Sequence, residues 1–310
     1  MATDARVAVA GIPGAWSTQR LAGALAEIGA AKFVFSLADC TYDLSRGEVL
    51  LDGTDLGRLE GVAVKKLGRS DDAAAPSRVQ LLRQLEFRGV RVFSPAGAID
   101  EVNDRYRMTQ RLAQAGLPVP RTAVTETLEA AADIVEDWGK VVVKPLHTSK
   151  GRGMLLLERG RAYRLKLRNW LRCWTPFYLQ EFVPHRGRDI GVAVLAGRTL
   201  GAFYRVAAPA TWLTTTASGG HYQACVATAE MQRLAQAAAG LFGLDFTVVD
   251  LVEHGGGYLI YEASAFGGFA GLWRTQRIDA ARLYAEHIVS ELSARGKHER
   301  DRAHTRTVPA

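Results

Sequence analysis

Tyr178-Leu179-Gln180-Glu181-Phe182-Val183-Pro184 decides how this chain is read. It is an apolar, β-prone run closed by proline, and Arg188-Asp189-Ile190-Gly191-Val192-Ala193-Val194 follows it closely, so two strands flank a short connection. Upstream, Val141-Val142-Val143-Lys144-Pro145 has the pattern of a buried strand that ends in a lysine. Thr148-Ser149-Lys150-Gly151-Arg152-Gly153-Met154 then leads into Leu155-Leu156-Leu157, giving strand, glycine-rich turn, strand. Glycines let backbone N–H groups come close to an oxyanion, and such a turn can close over phosphates. No Gly-Lys-Ser/Thr opens a helix here, so this is not a P-loop, and it is not a Rossmann fingerprint either. Taken alone, Lys144 reads equally as a surface lysine with its stem laid along apolar surface.

Downstream, Phe246-Thr247-Val248-Val249-Asp250-Leu251-Val252 and Tyr258-Leu259-Ile260-Tyr261-Glu262 are separated by Gly255-Gly256-Gly257. This predicts a β-hairpin with a loose glycine turn. Counting out and back from the turn sets Asp250 opposite Glu262. Two carboxylates so close repel unless a cation lies between them. Mg²⁺ suits them, because it takes one or two protein carboxylates and fills its other positions with phosphate and water. Acidic residues also sit at hairpin edges with no ligand, so the pair alone leaves both readings open.

Lysine strand, glycine flap, Gln-Glu-Phe-Val strand and distal Asp…Glu pair, in this order and spacing, resemble the ATP-grasp superfamily. Within it they are most similar to the RimK-like and glutathione-synthetase-like carboxylate–amine ligases. The likeness runs from about Asn103 to Ile288, beginning with Asn103-Asp104-Arg105-Tyr106-Arg107-Met108 and the turn Gly116-Leu117-Pro118. It implies an α/β and α+β architecture, the ATP-grasp fold. A parallel α/β domain (1-98) would precede a central and lid subdomain (99-183). A mixed or antiparallel C-terminal subdomain (184-294) would carry the metal site, and a basic tail (295-310) would fray.

The resemblance also implies roles. Arg105 and Lys144 would grip phosphates, and Ser149, Lys150, Gly151 and Gly153 would form the flap over them. Gln180, Glu181, Phe182 and Val183 would make the adenine strand, mainly through backbone groups, and Asp189 would accept from the ribose hydroxyls. Arg205 would touch the transferred phosphate and, with Lys144, carry the catalysis. Asp250, Glu262 and Ser264 would hold Mg²⁺, with Mn²⁺ able to replace it. The implied activity is ATP-dependent joining of a small-molecule or peptide carboxylate to an amine through an acyl phosphate, with release of ADP and phosphate. The alternatives are a phosphotransferase that stops after phosphorylation and a nucleotide-binding assembly component without ligase chemistry.

Four positions depart from the family pattern. Gly191 stands where the family has arginine, Ser264 where it has asparagine, Ser218 where a basic residue precedes Gly-Gly, and Phe266 where Ser-Pro-Gly is usual. They lie on the expected substrate side, in part on the loop Ala208–Tyr222 with its run of Thr214, Thr215 and Thr216.

At 310 residues, 48% hydrophobic and 23% charged, the chain has the composition of a globular protein large enough for two or three subdomains. No apolar run approaches the roughly 20 residues of a membrane span. The N-terminal segment lacks the regions of a signal peptide. Cys40, Cys173 and Cys225 are far apart, which argues against a disulfide framework or zinc site. Cytoplasmic placement follows by elimination, with no membrane partner and assembly as a homo-oligomer expected. Net charge is +7, partly from the tail and partly from Arg159–Arg172, where aromatics interleave with basic residues. That segment reads as a nucleic-acid platform, as a solvated helix face in the lid, or as steering for anionic substrates. The lid reading gives the expectation of no specific nucleic acid.

Periodicity predicts a helix over about 19–28 capped by Ser17 or Thr18, and a helix over 77–88 with apolar Val79, Leu82, Leu85 and Phe87. Strands are expected at 31–37, 61–65 and 90–93. A boundary is expected at Ser94-Pro95-Ala96-Gly97. Further helices are expected over 104–115, about 230–242 and about 279–292.

Overall fold

The computed structural model describes residues 7–68, 74–160 and 162–306. The chain opens with β1 (Val7–Ala10), α1 (Trp16–Glu27) and β2 (Ala31–Phe35). A small antiparallel sheet follows, built from β3 (Cys40–Asp43), β4 (Glu48–Leu51) and β5 (Thr54–Asp55), and then come β6 (Gly61–Val64), α2 (Ala75–Phe87) and β7 (Arg91–Phe93). Strands β2-β1-β6-β7 form a wholly parallel sheet. Every residue of β1 and β6 is buried, as expected of parallel strands covered on both faces.

Two local expectations fail here. Helix α1 begins at Trp16 with no side-chain cap, so neither Ser17 nor Thr18 is the N-cap, and Thr18 is buried in the first turn. Phe87 is 86% exposed. At 100° per residue it lies on the opposite face of α2 from Val79, Leu82 and Leu85. The turn cluster at Ser94–Gly97 starts a helix, with Pro95 as N-cap of α3 (Ala96–Asn103). Asp104 then caps α4 (Arg105–Gln114), accepting from the N–H groups of Tyr106 and Arg107. Ile99, Val102, Met108 and Leu112 of these helices join the large core that also holds Val62, Leu82, Leu251 and Ile260.

The second sheet is separate. It comprises β8 (Thr122–Thr125), β9 (Lys140–Lys144), β10 (Leu155–Glu158) and β11 (Phe177–Glu181), ordered β10-β9-β11-β8 and antiparallel. Helices α5 (Leu128–Trp138) and α6 (Tyr163–Leu171) close a small core containing Val135, Val143, Leu167, Trp170 and Leu179. The basic segment is largely α6. Its aromatics Tyr163 and Trp170 are buried in that core, while Arg164, Lys166 and Arg168 face outward.

The third sheet carries β12 (Arg188–Leu195), β13 (Arg198–Val206), β14 (His221–Cys225), β15 (Phe246–His254) and β16 (Gly257–Ala263), ordered β14-β13-β12-β15-β16 and antiparallel throughout. Helix α7 (Ala229–Phe242) packs into the large core, and α8 (Ala270–Gln276) into a second one. The last helix, α9 (Ala280–Arg306), returns to α1, so that Ala281, Tyr284, Ile288 and Leu292 share a core with Leu21, Leu25, Phe203 and Phe246. It continues to Arg306 within the segment 295–310 expected to fray, and residues 307–310 lie outside the described residues. Once a helix is nucleated by packing, each further residue adds a hydrogen bond at little entropic cost.

Candidate active site

The register of β15 against β16 pairs Asp250 with Glu262, as the glycine turn predicts. The neighbouring pairs Gly191 with Asp250 and Asp189 with Arg205 bring β12 and β13 to the same patch. Asp250 is buried. One oxygen receives the Arg205 guanidinium at 2.7 Å, and the other, Oδ1, has no hydrogen-bond partner. Burial pushes its carboxyl up to about 7 against the pull of Arg205, with Glu262 and Asp189 pushing the same way as burial. An orphaned, buried carboxylate oxygen facing a second carboxylate fits a hard divalent cation. Among the described residues no three His, Cys, Asp or Glu side chains converge on one point. A cation held here would therefore draw its remaining ligands from phosphate and water, the Mg²⁺ habit.

Arg205 is fixed from two sides. Nε and Nη2 donate to the two oxygens of Asp189 at 2.9 and 2.7 Å. Burial works against its charge, but Asp250 and Asp189 outweigh burial and hold it well above its ordinary value. Asp189 also accepts from the Thr214 hydroxyl at 2.8 Å. Three of the roughly four acceptor positions of that carboxylate are thus filled from within the protein. The ribose contact expected of Asp189 has only the last of them.

Lys144 stands at the end of β9 and donates to Gln180 Oε1 at 2.5 Å, with its ammonium 5.1 Å from the centre of the Tyr261 ring. Burial, then the charge of Arg105, bring its pKa down to about 7, with Glu262 and Asp250 acting in the opposite direction. Gln180 is buried and also donates to Thr122 and Tyr178. Glu181 points its side chain outward, Val183 is buried, and the Phe182 ring lies between Lys140, His185 and Trp212.

Arg105, expected to grip phosphate, lines the cleft at the root of the flap. Its guanidinium donates to the carbonyls of Pro145 and Thr148 at the root of the flap, with Glu262 3.7 Å away. A guanidinium only 7% exposed needs such acceptors. Its direct work here is to hold the flap. The flap itself crosses the cleft. Lys150, Gly151 and Gly153 have positive φ, and a Cβ on Gly151 would touch Leu213 and Thr215 of the Ala208–Tyr222 loop. Ser149 accepts from Arg152 N–H in the turn, and Trp170 Nε1 donates to Gly153 O. Ser264 Oγ accepts from the Phe266 N–H at 3.3 Å, so one of its lone pairs is committed to the turn after β16 and not to a metal.

The arginine missing at Gly191 is replaced by packing. A Cβ there would lie 2.6 Å from Phe203 Cζ, and on Gly271 it would lie 2.5 Å from the same ring. Phe203 is clasped between two glycines and cannot step aside. Gly191→Ala should therefore destabilise the protein by about 1–3 kcal/mol. Urea unfolding measures this, and a variant as stable as the parent would contradict the clasp.

Two residues of the site were missed from sequence. Lys65 and Lys66 follow β6, and side chains at the carboxyl ends of parallel strands are where α/β sheets place ligand contacts, a signal that could have found them. Lys65 is fully buried and donates to the carbonyls of Phe266 and Gly267, with its ammonium 4.0 Å from the Phe269 ring centre. Lys66 lies 5.3 Å from the Phe266 ring and borders the cleft.

A cavity of about 630 Å³ joins Lys144, Gln180–Val183, Asp189, Arg205, Asp250, Glu262 and the flap. It is of the size that holds a small-molecule cofactor. A cleft between two antiparallel sheets, with a glycine flap above and paired carboxylates below, is the ATP-grasp arrangement. Residues 102–288 match the family described as the RimK-like ATP-grasp domain, and the chain belongs to that family. It is 29% identical over 263 residues to a tetrahydromethanopterin:alpha-L-glutamate ligase of Methanosarcina acetivorans, covering 78% of this chain and 80% of that one. Two solved structures share the fold. The ATP-grasp ligase PsnB with a precursor variant, Mg and ADP has a TM-score of 0.72 at 21% identity, covering 93% of this chain and 99% of that one. A RimK domain protein of Sphaerobacter thermophilus gives 0.72 at 22% identity, covering 91% and 98%. Among the described residues no helix is long and apolar enough to cross a membrane.

Proposed function

We propose that the protein is an ATP- and Mg²⁺-dependent carboxylate–amine ligase. The observation that carries this is the Asp250–Glu262 pair, with its orphaned oxygen, in one cavity with Lys144, Arg205 and the flap. The names of the alpha-L-glutamate ligase relative and of the PsnB complex with Mg and ADP support it. Bound Mg-ATP supplies a transferable phosphoryl group with part of its charge neutralised. Asp250 and Glu262 would hold the ion, and Mn²⁺ has the same oxygen preference. Lys144 would neutralise phosphate charge, the backbone of Glu181–Val183 would take the adenine, and Arg105 would keep the flap rooted above it. Arg205 would stabilise charge on the group in transit. The substrate carboxylate is activated as its acyl phosphate and captured by an amine, so catalysis is largely positioning and charge neutralisation. ADP release that depends on both a carboxylate and an amine, with an amide product, tests the reading. Turnover of ATP without an amide would replace it with phosphotransfer. Cytoplasmic placement is supported by three cysteines that are all free thiols, and homo-oligomeric assembly is an expectation that light scattering reads.

The lowered pKa of Lys144 has a sign that can be checked. Its ammonium is fully present below about 7 and is lost above it, while bound phosphate favours the charged form. Mg-ADP affinity should weaken by up to about tenfold per unit above about pH 7 as Lys144 loses its proton, and should also fall below about pH 7, where protons compete with the metal for Asp250. Lys144→Arg should flatten the alkaline limb, because a guanidinium stays charged. Calorimetry between pH 6 and 9 reads both, and a flat alkaline limb for the parent protein would show that Lys144 does not meet the phosphates.

A further inference from the structure

A second cavity, of about 560 Å³, lies beside the nucleotide cleft. The two share Lys66, Arg105, Lys150, Glu262, Ser264 and Phe266, so a group at their junction stands next to the metal carboxylates. Arg105 is engaged with two carbonyls, and Lys150 is exposed on the flap. Lys66 differs from both. It is half-buried, comes from the N-terminal sheet, and has no hydrogen bond or ion pair among the described residues. Beyond the junction the wall is apolar, formed by Leu67, Val79, Val102, Met108, Leu146 and Trp174. Apart from Lys150 on the flap, the described charges that rim it are engaged. Asp100 pairs with Arg107 at 3.1 Å, Asp104 caps α4, and Arg152 has an interaction of its own.

We propose that this second cavity takes the carboxylate substrate, with Lys66 binding the reacting carboxylate at the junction and the apolar wall receiving an uncharged, apolar body. The inference rests on the ligase reading and names the substrate class for it. The Lys66 ammonium makes no ion pair among the described residues, although the charges of Lys150 and Glu262 reach it, and a carboxylate bound to it faces the place where the terminal phosphate would lie. Among the described residues the far wall offers no unpaired cation to a second carboxylate, so a dicarboxylic acid would leave one charge desolvated. In the reaction the carboxylate oxygen bonds to the γ-phosphorus and the bond from that phosphorus to the β–γ bridging oxygen breaks, releasing ADP. An amine nitrogen then bonds to the acyl carbon, phosphate leaves, and the amine's proton passes to solvent.

Hydroxylamine can stand in for the unknown amine and converts an acyl phosphate to a hydroxamate. The full-length protein would be given ATP, Mg²⁺, hydroxylamine and either N-acetyl-leucine, N-acetyl-phenylalanine or N-acetyl-glutamate. Hydroxamate should form with the two apolar acids at a kcat/KM at least about tenfold above that with N-acetyl-glutamate. Lys66→Gln should raise KM for the apolar acids by about tenfold or more, with Mg-ADP affinity and melting temperature unchanged, and Lys66→Arg should recover most of the loss. Leu146→Asp should reduce kcat/KM for the apolar acids while sparing Mg-ADP binding. Preference for N-acetyl-glutamate, an unchanged KM in Lys66→Gln, or a loss of Mg-ADP affinity in its place would overturn this inference and leave the ligase reading standing. No hydroxamate from any of the three acids, with Mg-ADP still bound, would overturn the inference, and loss of ADP release with amines as well would take the ligase reading with it.

Discussion

Asp250→Asn is expected to lower ADP formation by at least about a hundredfold while the fold survives. The amide keeps the shape of the carboxylate and can still accept from Arg205, which stays gripped by both oxygens of Asp189. What is lost is the charge shared by its buried Oδ1, which has no partner. Because burial already pushes the Asp250 carboxyl up to about 7, the neutral amide costs the folded state little. Turnover should collapse with little change in melting temperature. Glu262→Gln should be milder and recover in part with added Mg²⁺, because Glu262 is 35% exposed and leaves Arg105 with its two carbonyls. Undiminished turnover of Asp250→Asn at saturating nucleotide would remove the metal from this hairpin.

Lys144→Ala should weaken Mg-ADP binding by roughly ten- to hundredfold, since a buried charge-assisted contact to phosphate contributes about 1.5–3 kcal/mol. The structure adds a second consequence. Lys144 also donates to Gln180, which bonds to Thr122 and Tyr178, so the variant frees the side-chain oxygen that orients the start of the adenine strand. Binding of the nucleoside adenosine should therefore weaken slightly, where a pure phosphate contact would leave it untouched. Calorimetry with Mg-ADP and with adenosine separates the two, and unchanged Mg-ADP affinity would move the phosphate site elsewhere.

The site hairpins were legible because each is local. Asp250 meets Glu262 through a single glycine turn, and Lys144 is tied to the flap by fewer than a dozen residues, so alternation and glycine placement define them. What was illegible depends on distant partners. Nothing near Arg105 in sequence says that its guanidinium would find the carbonyls of Pro145 and Thr148. Gly191 looked like a missing arginine, and only the register with β13 shows the Phe203 ring in its place. The sheet of β3, β4 and β5 is built from strands of two to four residues, too short to show a period. Lys66 follows an ordinary apolar strand, and its importance comes from two cavities that meet beside it.

The distribution of the cores decides how this molecule can move. The first and third sheets share two cores, and α9 binds the end of the chain back to its beginning, so these parts form one block. The sheet of β8 to β11 has a core of its own and joins the block through only two chain crossings, before β8 and after β11. It is a jaw on a two-strand hinge. Its contacts with the block include the grip of Arg105 on the flap root, the buried bond between the Thr109 and Tyr178 hydroxyls at 2.8 Å, the edge contact of Phe182 with Trp212 and the seat of the flap on Leu213 and Thr215. The contacts that would close over a nucleotide are thus few and local to the cleft, whereas the carboxylates sit on the block held by the two large cores.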